Sequence, residues 1–136
     1  MKHKPYGIFD YSELPLVKIE LTGEAATDQN FEEYLKESAA ISQKSERYIS
    51  LLDTSKVSYL SAKFRIIQGK YINDNKERIA KQAIAIIFIA PSFLHRTMLK
   101  AIFVVKDYPN PVFIVSSKEE GMEKVNELLE EEKNNS

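Results

Sequence analysis

Cysteine is missing from all 136 residues, which excludes a disulfide, a thiol nucleophile and a cysteine metal site. Glycine is scarce: there are four, and none falls in the GxxxxGK(S/T), GxGxxG or GxSxG patterns that cradle phosphate or present a nucleophile. HExxH is absent too, and the two histidines, His3 and His95, supply too few ligands for zinc, so no metal and no cofactor is expected. Neither charge sign dominates: 19 Lys and Arg face 20 Asp and Glu, a net charge of -1, which gives no general attraction to nucleic acid or anionic lipid. No apolar stretch follows the basic start, no repeat recurs, and a cytoplasmic location is the default expectation.

The longest apolar run, Ala83 to Val105, is broken by Pro91, Ser92, His95, Arg96 and Lys100. Charges in hydrocarbon are costly, so the run is predicted to be a strand and its covering helix rather than a transmembrane segment. With 43% apolar residues the chain suffices for one domain over 1–136, with 1–5 and 133–136 frayed.

Taken in order, residues 6–10 form an edge strand or ordered arm, and LVKIEL (Leu16 to Leu21) alternates as a half-buried strand. Thr27 and Asp28 start a helix whose inner face carries Phe31, Tyr34, Leu35, Ser38, Ile41 and Ser42. YISLLD (Tyr48 to Asp53) is a buried strand. Phe64, Ile67, Gln68, Tyr71 and Ile79 then mark a helical face with a possible break at Asn73 to Asn75, backed by outward Lys63, Lys70 and Lys76. Ile84 to Ala90 is too uniformly apolar for one face in water, so helices should cover both sheet faces. Ser92 caps the next helix, whose inner stripe is predicted as Leu94, Met98, Ala101 and Val105. A Pro109 to Pro111 turn leads to VFIV (Val112 to Val115). Ser117 and Glu120 then open a last helix with Met122, Val125, Leu128 and Leu129 inward. The order predicts an α/β fold: a single small mixed or mostly parallel sheet under about four helices, with ligands at strand carboxyl ends.

Asp53 could orient an anion-binding loop or hold a cation; more often a carboxylate at a strand end accepts backbone bonds in the next turn. His95 could work near neutral pH, and Arg96 and Lys100 could meet phosphate or carboxylate, but His95 lies well around the helix from the two cations. Leu99 and Phe103 fall opposite the predicted inner stripe, which implies a covering segment, a partner subunit or a ligand surface. Phe88, Phe93, Phe103 and Phe113 are expected to pack the core.

From Tyr48 to Leu129 the motif order resembles the STAS family, in its SpoIIAA-like and SEC14-like branch. The cue is LLDTSKVSYLSAKF (Leu51 to Phe64), in which Asp53, Ser55, Val57, Tyr59 and Leu60 follow the family's passage from strand to helix. The Ala90-Pro91-Ser92 break, the Arg96 helix, the proline turn, Phe113 and the acidic closing helix are similar as well. The resemblance implies a STAS-like fold and kinship with anti-sigma-factor antagonists, in which a serine at the helix start is phosphorylated. Ala62 stands at the matching place, Ser61 replaces the preceding aspartate, and Lys63-Phe64 replaces Ser-Gly, so the resemblance does not carry the serine switch over. Ser61 is the hydroxyl left there to be modified or to serve as a cap.

The functional expectation is a non-catalytic regulatory or scaffolding domain. It binds a protein or its own copy through Arg96, Leu99, Lys100 and Phe103, an apolar centre with charged selectivity around it. The alternative is a SEC14-like domain for an apolar or anionic small ligand. Asp53, Ser61 and Ser92 mark where that ligand, or the substrate of an unrecognised enzyme, would sit.

Overall fold

Strands that are apolar on both sides need two covers, and the layer arrangement follows from that need. The structure, a computed structural model, describes residues 4–57, 59–105 and 108–135, with the side chains of 101–105 outside that description. The elements are β1 (Gly7–Glu13), β2 (Leu16–Leu21), α1 (Asp28–Lys44), β3 (Tyr48–Asp53), α2 (Ala62–Asp74), α3 (Lys76–Gln82), β4 (Ala83–Ile89), α4 (Phe93–Val105), β5 (Val112–Val115) and α5 (Lys118–Asn134). The strands lie side by side in chain order in a mixed sheet: β1 runs antiparallel to β2, and β2 to β5 are parallel. The expected break in the second helical segment is real, with Asn75 separating α2 from α3.

Register sorts the two faces. Val17, Ser50, Ile86 and Val112 stand in one row, and Ile19, Leu52, Phe88 and Ile114 in the next, all on the side that packs against Phe31 and Ile41 of α1, Phe64 of α2, Ile79 of α3 and Leu99 of α4. The opposite side carries Leu16, Ile49, Leu51, Ala85, Ile87 and Ile89 against Val125 and Leu128 of α5. Gly121 lets α5 approach closely: a Cβ there would lie 2.9 Å from Leu51 Cδ1.

Local signals account for the ends. Thr27 Oγ1 accepts from the Asn30 backbone (3.0 Å) while Asn30 Oδ1 accepts from the Thr27 backbone (2.8 Å), a reciprocal cap built with asparagine. Glu120 N donates to Ser117 Oγ (3.2 Å), but the Glu120 carboxylate accepts from Ser116 N rather than from Ser117. Thr54, fully buried, donates its hydroxyl to the Ile89 carbonyl (2.7 Å) and joins the ends of β3 and β4.

Three expectations are corrected. Leu99 does not face outward: it is 2% exposed and belongs to the core. Leu94, placed on the inner stripe, is 57% exposed, and Phe93, expected in the core, is 78% exposed. The cause is that α4 is apolar nearly all round, so several stripes compete and periodicity alone does not choose between them. Arg96 fixes the observed rotation by donating Nη1–H to the Ala90 carbonyl (3.1 Å). Phe103, Ala101 and Val105 have side chains outside the described part, as has all of His3. At the other end α5 stays helical through Asn134, past the expected fraying point at 133.

Candidate functional site

The residues singled out from sequence do not converge. Asp53 Oδ1 accepts from Ser55 N (2.9 Å), closing its own turn at the end of β3. Ser61 takes the N-cap position of α2 without a side-chain cap bond. Ser92 Oγ caps α4 through His95 N (3.3 Å) and lies 2.5 Å from His95 Nδ1. A serine beside an imidazole is the start of a nucleophilic pair, but both members here are occupied in one helix turn. Arg96 turns back on Ala90, and Lys100 is exposed. Among the described residues no group of three or more His, Asp or Glu could hold a metal ion.

A cavity of about 90 Å³ lies instead beneath the four helices of the first face. Ile19, Leu52, Ile86 and Phe88 form its floor, and Phe31, Ile41, Ile72, Ile79, Met98 and Leu99 descend from the helices. Leu99, expected on the outer surface, is thus part of the cavity wall. The polar lining includes Tyr34 and Ser38 of α1, Tyr48 and Ser50 of β3, Gln68 and Tyr71 of α2, and Tyr108 in the segment before β5. Ser50 is the anomaly in its sheet row: a hydroxyl, 6% exposed, where its neighbours are Val17 and Ile86.

Four of the lining tyrosines, Tyr34, Tyr48, Tyr71 and Tyr108, are linked through Tyr71 and Tyr108. A charge on Tyr34 would be opposed by Tyr6, Tyr71 and Tyr108, and one on Tyr108 by Tyr48 and Tyr71. Burial pushes all four phenols above their ordinary range. Arg78, on α3, opposes that rise at Tyr48, Tyr71 and Tyr108. Its Nη2 donates to the Tyr71 hydroxyl (3.3 Å) and to Asn75 Oδ1 (3.0 Å), whereas Nη1 is buried without a hydrogen-bond partner. Such a donor carries a desolvation penalty that a ligand can relieve. Asn110 Oδ1 is likewise buried and unpaired, while the Asn110 amide donates to the Ala83 carbonyl.

The raised phenols set a pH dependence. A raised folded pKa means that the fold favours the neutral phenol, so this contribution is intact below the unfolded value of about 10 and is lost as pH rises above it. Thermal unfolding midpoints should therefore fall above that pH. Phenolate absorbance from the cluster should appear together with loss of helical circular dichroism. Stepwise ionisation near pH 10 (roughly the free value) in a protein that stays folded would show that the cluster is not buried.

The sequence offered one direct signal for this cavity, the polar Ser50 inside YISLLD, and a weaker one in Gln68 and Tyr71 on an inward helix face. Arg78 gave none, sitting in a run of charged residues that reads as a solvated surface. No protein-family model matches the chain, and no curated protein or solved structure matches it. No helix among the described residues is long and apolar enough to cross a membrane.

Proposed function

We propose that the chain is a non-catalytic regulatory domain, STAS-like and cytoplasmic, that binds a small ligand in the cavity under α1 to α4. The observation that carries this reading is the lining: apolar walls closed by a few convergent polar groups, the composition typical of ligand sites. The same helix links the cavity to the surface. Met98 and Leu99 of α4 line the cavity, while Phe93 and Leu94 at its start stand in solvent. Occupancy that shifts α4 would move those two side chains, which form the apolar part of a contact for a partner or a second copy.

The test is amide chemical-shift mapping with a panel of compact organic probes, repeated in Ser50→Leu, which fills the cavity from the sheet side. Shifts confined to cavity residues and lost in Ser50→Leu support the reading; no probe response in the folded wild type overturns it. Phe93→Ser with Leu94→Ser should retain the probe response and lose any self-association seen by sedimentation.

A further inference from the structure

The chemistry at one end of the cavity narrows the ligand class. Tyr71 lines the cavity, and its hydroxyl oxygen already accepts from Arg78. Its own proton must therefore be donated elsewhere, and no acceptor for it is found among the described residues. Arg78 stands one hydrogen bond behind that phenol, with no carboxylate pairing it among the described residues and with Nη1 buried and unpartnered. A guanidinium in that position, outside the cavity lining but bonded to the Tyr71 hydroxyl, polarises the phenol, so an anionic acceptor is favoured over a neutral one.

Size sets the rest. A cavity of ~150 Å³ holds a benzene ring, so about 90 Å³ admits only a ligand smaller than that ring. Phe88, Met98 and Leu99 offer an apolar surface, which excludes small ions that are polar all round.

We propose that the cavity is a site for a compact monocarboxylate, its carboxylate accepting the Tyr71 hydroxyl proton under the charge of Arg78 and its short apolar body lying against Phe88, Met98 and Leu99. This rests on the ligand-binding reading above and specifies its chemistry. The carboxylate compensates the charge of the half-buried Arg78 side chain, and the phenol, fixed by Arg78, meets it with a set direction. Arg78 is a positioning residue, since it reaches the ligand through Tyr71.

The experiment compares propionate with butanone, which have the same number of non-hydrogen atoms and nearly the same shape but differ in charge. Each is titrated into the full chain and followed by amide shifts. Propionate is expected to bind at least about tenfold more tightly than butanone, the scale of a charge-assisted hydrogen bond against a neutral one. Tyr71→Phe, which keeps the ring and its packing, should erase that preference, with propionate losing at least about tenfold more affinity than butanone. Arg78→Met, which keeps the aliphatic stem, should do the same. If Arg78→Met fails to fold, Tyr71→Phe decides alone. Equal or tighter binding of butanone in the wild type overturns the carboxylate assignment and leaves ligand binding standing. Silence from both probes in the folded wild type overturns the carboxylate assignment, and silence across the wider panel of probes overturns the ligand-binding reading as well.

Discussion

Leu99→Asp is expected to remove most or all of the protein's stability, whereas Leu94→Asp, five residues earlier on the same helix, should change it by less than ~0.5 kcal/mol. Leu99 is 2% exposed, so the substitution deletes a packed side chain and places a carboxylate among apolar core side chains. The lost packing alone costs about 2–5 kcal/mol, and an unpaired buried charge adds to that until the group protonates or the helix detaches. A domain with roughly 5–15 kcal/mol of stability has little margin for both. Leu94 is 57% exposed, and a charge there meets water. Urea unfolding of the two variants, with Leu99→Ala as an intermediate step, gives the comparison. Equal losses at 94 and 99, or the larger loss at 94, would mean that α4 is rotated to the stripe first expected from the sequence.

That pair of residues also shows what sequence can and cannot resolve. LVKIEL became β2 with its predicted faces because two charges, Lys18 and Glu20, leave only one set of alternate positions fully apolar. Thr27 and Ser117 marked helix starts because a short hydroxyl side chain reaches a backbone donor only from the cap position. Helix α4 lacks such contrast. Phe93, Leu94, Met98 and Leu99 wrap around its axis, and what chooses among them is a tertiary bond, from Arg96 to the Ala90 carbonyl.

The cavity was hidden for a different reason. Its polar lining is assembled from α1, β3, α2 and the segment before β5, with Arg78 of α3 behind it, and residues 34 and 108 are far apart in the chain. Each tyrosine alone is an ordinary amphipathic core residue; only their convergence is informative, and convergence is a property of strand order. Without strand order, the sequence pattern points to strand carboxyl ends and helix starts. Tyr48 lies instead at the first residue of β3, opposite Ala83 at the first residue of β4.

Phe31→Ala should cost about 3–5 kcal/mol, the largest effect expected from any single truncation that leaves the charge unchanged. Phe31 is 2% exposed and is the hub of the aromatic cluster: its ring centroid lies 5.2 Å from Tyr6, 5.7 Å from Tyr34 and 5.1 Å from Phe64, in tilted or edge-on arrangements. It therefore ties α1 to α2 and to Tyr6, the residue that precedes β1, alongside the Tyr6–Tyr34 ring pair and the Lys63–Asp28 ion pair. Because Phe31 also lines the cavity, its removal enlarges that space rather than opening a separate void. Two measurements follow. Thermal unfolding should show the loss, with Phe31→Leu intermediate and Tyr59→Ala, at a side chain 74% exposed, close to wild type. Benzene should raise the unfolding midpoint of Phe31→Ala and leave the wild type nearly unmoved, because a ligand that binds only the folded state stabilises it, and only the enlarged cavity admits the ring. A loss below about 1 kcal/mol would fall short of any well-packed core phenylalanine and would show that the cluster does not hold α1 to α2. Full stabilisation of the wild type by benzene would instead mean that the native cavity is already larger and drier than a compact carboxylate requires.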